Sequence, residues 1–503
     1  MKKNDEYVIT IDDIGNEGEG IGHIYEDAAG GDTRGVAVFG KDVDAHGISV
    51  NEKSADVEDT RGIAVFVKDA VVGDVVRVGL TKVKKNYAYA RVIEVIEPSR
   101  FRVQPICVNA RKCGGCNLMH MSYEKQLEYK WNKVRNCLER IGGIRNVADI
   151  MEPIIGMDSP VRYRNKAQFP VRQDRNGKIN IGFYAGRTHD VIDTDICYIQ
   201  DEKNDKIIEC IRAFMEKYKV EPYDEEHHSG LIRHILTRVG RKTGEVMVCL
   251  VINGKALVGA CGDKFKKYRD VEAEFVQCLQ EIDGITSISL NINTDKTNRI
   301  LGDSVRTIWG SDTISDYIGN VKYQISPLSF YQVNPIQTEK LYSKALEYAN
   351  LQGNEVVWDL YCGIGTISLF LAQRAKKVLG VEIVPQAIED ARKNATLNGF
   401  DNTEFFVGKA EEVLPEQFEK KGIHPDVIVV DPPRKGCDIV AIETMLKMAP
   451  QRIVYVSCDP ATLARDVKLL CDGGYELKRV CPTDMFPNTG HVEVVTCLQR
   501  VNS

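Results

Sequence analysis

The sequence predicts an α/β protein in three parts: a doubly wound C-terminal domain, a central α/β domain and a small N-terminal β-barrel. Three observations predict it. From about Tyr331 onward, apolar runs of strand length (VVWDLYC, KKVLGVEI, TEFFVGK, DVIVVDPP, RIVYVSCDP) alternate with helical stretches such as TISLFLAQRA and VPQAIEDARKNATLNG. Strands alternating with helices mean a parallel sheet covered on both faces. Up to about residue 98, by contrast, short β-branched runs are punctuated by turn glycines, the pattern of a small barrel. Between them, apolar residues recur at helical spacing over 123–141 (Leu127, Trp131, Val134, Leu138, Ile141), followed by a mixed stretch. The expected domains are therefore 1–98, 99–325 and 326–503.

Bulk composition supports this division. A chain of 503 residues, 43% hydrophobic and 27% charged, can bury several cores. The opening MKKNDEYVIT lacks the apolar run of a signal peptide, and no stretch reaches the roughly 18 uncharged apolar residues of a membrane span. A cytoplasmic, reducing location with no membrane partner is the expectation. Fifteen cysteines are then read as thiols, metal ligands or nucleophiles rather than as a disulfide framework. The net charge of −6 argues weakly against non-specific nucleic-acid binding, but local basic patches, not the sum, make an RNA footprint.

Two such patches stand out. The barrel closes on TKVKKNYAYARVIEV, where Lys82, Lys84, Lys85 and Arg91 interleave with Tyr87 and Tyr89; cations for phosphates and rings for stacking suit RNA, and an ordinary solvated strand edge is the alternative. In 159–190, Arg162, Arg164, Lys166, Arg172, Arg175, Lys178 and Arg187 face only Asp174 and Asp190, with Tyr163, Phe169, Phe183 and Tyr184 among them. That too could neutralise phosphates. The barrel also repeats itself: DTRGVAVFGKD at 32–42 recurs as DTRGIAVFVKD at 59–69, a local duplication of one hairpin rather than a solenoid.

The chemistry gathers in the last third. DLYCGIGT (359–366) follows a strand and opens a helix, with Gly363 and Gly365 allowing a ligand close to the backbone. Glu382 ends the next strand, where an acid accepts hydrogen bonds from ribose hydroxyls. The loop lacks the GxGxxG of a dinucleotide site, so a nucleoside without phosphates, such as S-adenosylmethionine, fits better. Asp431-Pro-Pro-Arg434 ends the fourth strand; its prolines stiffen the turn and Asp431 offers a fixed acceptor. Cys458 ends the fifth strand beside it. A thiol there has a use, because uracil C5 is too weak a nucleophile until a thiolate adds to C6. A positive or dipolar neighbour is expected to favour that thiolate. Glu493, in the apolar strand HVEVVTCL, is the candidate base to remove the C5 proton, burial raising its pKa; a Glu on the strand's wet face is the alternative.

Cys107, Cys113 and Cys116 lie within ten residues, and Cys197 could supply a fourth thiolate. Four thiolates hold zinc or an iron–sulfur cluster; the single CGGC knuckle, five-residue gap and remote ligand favour [4Fe–4S].

With these residues assembled, the chain resembles the 23S-type ribosomal RNA (uracil-5-)-methyltransferases, in the barrel, CxxxxxCGGC plus Cys197, SFYQVN, DLYCGIGT, DPPRKG, SCDPATLARD and the closing HVE. The resemblance implies an OB-like TRAM barrel, a central iron–sulfur domain and a Rossmann-like methyltransferase domain. It further implies that Gln332, Tyr361, Glu382 and Asp431 bind S-adenosylmethionine, that Cys458 is the nucleophile and Glu493 the base. Cys107, Cys113, Cys116 and Cys197 would bind [4Fe–4S]. The helix after the cluster would pack on the catalytic domain, and 23S rRNA would be the partner of a monomer. The duplicated hairpin and Asn488, in place of a histidine, depart from the pattern. Rivals are a transfer RNA uracil-5 enzyme, expected to lack the barrel and cysteine cluster, a cytosine-5 enzyme, which would want a second cysteine at DPPRKG, and an inactive RNA-binding assembly factor.

Overall fold

Alternate burial along VVRVGLTKV and its neighbours organises the N-terminal unit. The computed structural model describes residues 1–25, 62–186, 188–258, 260–261, 264–265 and 268–501. These form two units, the first being Met1–Arg111, Gly115–Tyr129 and Asn488–Gly490. The first copy of the repeated hairpin, the connector after it and Arg187 lie outside the described residues. Strands β1 (Glu6–Thr10), β2 (Asp13–Ile14), β3 (Gly20–Ile24), β4 (Ile63–Lys68), β5 (Val75–Val83) and β6 (Tyr87–Glu97) make one sheet in the order β1-β5-β6-β4-β3-β2. Its inward positions, among them Ile9, Val65, Val67, Val76, Val78 and Ala88, form a core of their own. The sheet curls until β3 lies over β1: a Cβ on Gly22 would stand 2.5 Å from the Thr10 carbonyl oxygen, so only glycine fits. Buried Asp74 pins its base, accepting from the Val71 and Ser99 amides at 2.6 and 2.9 Å and pairing with Arg102 at 2.5 Å.

In the same unit, Phe66 meets Tyr87 and Tyr89 with ring centroids 5.6–5.8 Å apart, beside exposed Lys82, Lys84, Lys85 and Arg91. The aromatic and basic residues picked out in the sequence thus share a surface, and Phe66 from the repeated segment joins them.

The second unit holds the rest. Helix α1 (Tyr123–Arg140) enters it at Lys130, followed by β7 (Lys166–Gln173), β8 (Ile179–Tyr184), β9 (Val191–Asp193), α2 (Lys203–Tyr218), β10 (Ile232–Val239) and β11 (Val246–Ile252). A short ladder, β12 (Ala260–Cys261) with β13 (Lys264–Phe265), precedes α3 (Tyr268–Gln280), β14 (Ile285–Ile292) and β15 (Ser304–Gly310). The seven-stranded sheet runs β15-β14-β11-β10-β7-β8-β9, with Ile211, Phe214, Phe275 and Leu279 of α2 and α3 packed on one face. Cys210 of α2 and Cys278 of α3 are joined as a disulfide, which corrects the reading of all fifteen cysteines as thiols, ligands or nucleophiles. The physical reason is helix packing, which brings their Cα atoms to 6.4 Å, within bridging range.

A hairpin, β16 (Ile314–Ile318) with β17 (Val321–Ile325), leads to α4 (Pro335–Ala349). The C-terminal sheet comprises β18 (Val356–Leu360), β19 (Lys377–Glu382), β20 (Thr403–Val407), β21 (Val427–Val430), β22 (Arg452–Ser457), β23 (Tyr475–Thr483) and β24 (Glu493–Arg500). Its order is β20-β19-β18-β21-β22-β24-β23, parallel except for β24, which is antiparallel to both neighbours. Helices α4, α5 (Thr366–Ala372) and α6 (Pro385–Leu397) cover one face through Leu341, Ile367 and Ile388. On the other lie α7 (Ala410–Lys421), α8 (Ile439–Met448) and α9 (Pro460–Asp472), with Val134 and Leu138 of α1 inserted among them. Each such aliphatic side chain, fully buried, contributes roughly 1.5–3 kcal/mol. Strand order reverses between β18 and β21, and the crevice beyond their carboxyl ends is where ligands enter such sheets.

Candidate active site

The glycine loop starts where β18 stops. Tyr361, Gly363 and Gly365 all have positive φ, 67°, 55° and 81°. A Cβ on Gly363 would meet nothing within 4 Å, so that side of the loop is open to a ligand, whereas at Gly365 it would press on Ala391 and Phe405 at 3.3 Å. Glu382, at the end of β19, holds the loop from across the crevice: its carboxylate accepts from the Gly363 amide at 3.3 Å and the Val384 amide at 2.9 Å. Deeper in, Asp359 is fully buried and accepts from the Ser368 hydroxyl at 2.5 Å, while its second oxygen has no protein partner. Burial, aided by the charges of Asp431 and Glu382, pushes its pKa up to about 7.

Asp431 follows β21 directly, and its amide reaches the Leu360 carbonyl at 3.4 Å, so the DPPR turn abuts the start of the glycine loop. Burial pushes its carboxyl up to about 7. Ser457 of β22 pairs with Val494 of β24, and in antiparallel register the next residue on each strand, Cys458 and Glu493, falls opposite the other. Cys458 is half-buried and Glu493 buried. Burial and the nearby charge of Asp431 raise Glu493 to about 8, with Arg434 opposing. The thiol is pushed up to about 12 by burial and by Glu493 and Asp431, again against Arg434. The expected thiolate-favouring surroundings are therefore corrected: two carboxyls and burial outweigh one exposed guanidinium, and the resting thiol is protonated.

The sequence-predicted residues do not all converge equally. Cys458 feels the charges of Glu493 and Asp431, Glu493 feels that of Asp431, and Asp359 feels those of Asp431 and Glu382. Gln332 is buried in the segment before α4, tied to the central sheet by Asn165, whose side chain donates to the Gln332 carbonyl at 3.1 Å. The Tyr361 side chain turns to the α7–α9 layer, where its hydroxyl meets Cys437 and burial raises its pKa. Three residues given no role in the sequence, Asp359, Arg434 and Tyr342, belong to the site. Asp359 and Arg434 stood inside the quoted motifs; Tyr342 on α4, whose hydroxyl bonds Thr366 at 3.0 Å, had no motif to mark it.

Of the cysteine set, Cys107 and Cys116 belong to the first unit, Cys113 and Cys197 to the second, and all four are half-buried. Cys113 forms a single bridge with Ala185, and the Cys197 carbonyl accepts from Arg162 at 3.0 Å. Four thiols with no hard ligand among them suit a thiophilic centre. Among the described residues, however, no three His, Cys, Asp or Glu side chains are already assembled to hold a metal. Nor is any described helix long and apolar enough to cross a membrane.

A parallel sheet with a reversed last strand, a glycine loop, a strand-end acid and a DPP turn define the nucleoside-using methyltransferase class of this fold. Residues 304–501 match the family model described as tRNA (Uracil-5-)-methyltransferase. The chain is 48% identical, over 98% of its length and 96% of the relative's, to an uncharacterized RNA methyltransferase of Clostridium tetani. It is 47% identical to one of Clostridium acetobutylicum over 100% and 98%. Among solved structures, the Pyrococcus abyssi tRNA (uracil-54, C5)-methyltransferase in complex with S-adenosyl-L-homocysteine is 26% identical, with a TM-score of 0.71 over 98% of this chain and 99% of that one. The chain belongs to the RNA (uracil-5-)-methyltransferase family and is an S-adenosylmethionine-dependent enzyme acting on RNA. One expectation changes: a tRNA enzyme that matches along the whole chain means that extent does not separate tRNA from rRNA substrates.

Proposed function

We propose that the protein methylates carbon 5 of a uridine in 23S ribosomal RNA, with Cys458 as covalent nucleophile and Glu493 as base. The observation that carries this reading is the juxtaposition of a thiol, a buried carboxyl of raised pKa and Asp431 at the mouth of the crevice. Cys458 gives up its proton to water and its sulfur adds to uracil C6, which places an electron pair in an enolate conjugated to C5. S-adenosylmethionine supplies the methyl group that C5 takes. Glu493 then removes the C5 proton; the pair left behind re-forms the C5–C6 double bond as the C6–S bond breaks. A base titrating near working pH suits that proton transfer. Gln332, Tyr361, Glu382 and Asp431 hold the donor, Glu382 at the ribose hydroxyls.

Within this reading, residues 1–98 form a TRAM barrel that contacts RNA through its basic aromatic surface. The central domain spans 99–325 and the catalytic domain 326–503. Cys107, Cys113, Cys116 and Cys197 bind [4Fe–4S], through which no catalytic step is routed, and the protein acts as a cytoplasmic monomer. A second reading, a transfer RNA substrate, is favoured by the full-length likeness to the Pyrococcus abyssi enzyme. Mapping 5-methyluridine in both RNA classes from a deletion strain separates them: a 23S position that loses its methyl group supports the first reading, and loss confined to tRNA overturns it.

A further inference from the structure

Along β10, Ile235 and Val239 join the core under α2 and α3, so by strand alternation His234 and Arg238 project from the opposite face. The His234 side chain is only 5% exposed, yet neither ring nitrogen has a partner. Burial and the charges of Arg172 and Arg233 push its pKa down to about 3, so the ring is neutral, with one N–H to give and one lone pair to offer. Native proteins seldom leave such a group unspent.

His234 lines a cleft of about 140 Å³ together with Tyr184, His189, Glu225, Arg233 and Arg299. The rings of Tyr184 and His189 stand 5.8 Å apart at 52°. Arg233 is fixed by the carbonyls of Asn293 and Asp295, both at 2.8 Å, and lies over the Tyr223 ring at 4.4 Å. The cations are largely engaged: Arg233 donates to carbonyls, with only its Nε unpartnered, Arg299 pairs with Asp303, and Arg172 pairs with Glu225, which itself sits in the cleft. What remains is a neutral imidazole able to give or accept a hydrogen bond beside the Tyr184 and His189 rings, which suits a base edge and its π-face.

We propose that this cleft receives a nucleobase of the substrate RNA other than the target uridine, read by a ring nitrogen of His234. The inference rests on the RNA-methylating reading above and deepens it, adding a second point at which sequence is recognised.

The test is a scan of single abasic positions in an RNA substrate, read as kcat/KM for methyl transfer by the wild type, His234→Leu and His234→Gln. One abasic position away from the target should cost the wild type about tenfold, the loss of one hydrogen-bonded base contact. His234→Leu should lose about tenfold on intact RNA and nothing more at that position, while His234→Gln, which keeps a donor and an acceptor, retains most activity. Unchanged S-adenosylhomocysteine affinity shows that the variant is folded; should His234→Leu fail to fold, Tyr184→Ala must show the same coupling at the same position. Wild-type methylation with no coupled position overturns this inference alone, whereas no methyl transfer to any RNA overturns the proposed function and this inference with it.

Discussion

Cys458 and Glu493 lie one step beyond the Ser457–Val494 pair that ends the β22–β24 ladder, and the charge of Glu493 makes the thiol harder to ionise. The arrangement looks unfavourable for a nucleophile, yet it suits a reaction that needs a carboxylate only after the thiol has been consumed. Burial and the charge of Asp431, not the thiol, hold the Glu493 proton in place.

Cys458→Ala should abolish turnover, by at least ~10³-fold, without weakening S-adenosylhomocysteine binding, because the thiol makes no part of the donor's pocket. Release of tritium from C5-labelled uridine in RNA is the measurement, with calorimetry on the donor product as control. Persistent release in the variant would falsify the covalent route.

Glu493→Gln should behave differently. Addition and methyl transfer can still occur, but proton removal cannot, so a protein–RNA adduct that survives denaturing gels should accumulate while turnover falls ~10²–10⁴-fold. In the native enzyme the base must be ionised, and its pKa lies at about 8. The rate of the elimination step should therefore rise with pH up to about 8 and then level. Glu493→Gln should lack that inflection, and an unchanged pH profile would remove Glu493 from the role.

Much of this site was legible because its motifs sit at strand ends, where both alternation and turn chemistry mark the position. DLYCGIGT, Glu382, DPPR and Cys458 all fall at the carboxyl edge of one sheet, as the apolar runs before them required. The raised pKa of Glu493 was legible from its apolar strand, but the ionisation state of Cys458 was not. It depends on the antiparallel return of β24, which sets Glu493 against Cys458, and no local pattern specifies which strand β24 will join. Tyr342 was hidden for the same reason, its apolar helical spacing on α4 being indistinguishable from core. The Cys210–Cys278 contact likewise joins two helices through cysteines 68 residues apart in sequence.

Glu382→Gln should weaken S-adenosylhomocysteine binding about tenfold, the loss of roughly 1.4 kcal/mol expected when a charged acceptor becomes neutral. The Gly363 and Val384 amides bond different carboxylate oxygens, so the single amide oxygen of the variant keeps one of these two contacts and the other is lost. Calorimetric titration reads the affinity, and an unaltered Kd would place the ribose elsewhere.

Three carboxyls make folding stability fall as pH rises. Asp359 and Asp431 titrate at about 7 and Glu493 at about 8 in the folded protein, against roughly 4 in the unfolded chain. The folded state then binds more protons than the unfolded one between those values, so stability is greatest near the low end and is lost progressively up to about pH 8. Thermal denaturation between pH 5 and 8 should show a falling Tm. Asp359→Asn, which keeps an acceptor for Ser368, should flatten part of that slope; a Tm that rises over the interval contradicts the assignment.

Asp484→Ala tests what anchors α1 to the catalytic unit. Lys130 is wholly buried, its pKa lowered by that burial, and it is held by Asp484 at 2.5 Å and the Phe486 carbonyl at 3.0 Å. Removing the carboxylate leaves a buried ammonium without its counter-charge, which costs about 3–5 kcal/mol, whereas replacing both partners with apolar residues of similar volume is close to neutral. The single variant should therefore lose far more stability in denaturant unfolding than the double variant Lys130→Met, Asp484→Leu. Equal losses would mean that α1 is held by Val134 and Leu138 packing alone, and that the ion pair fixes only its register.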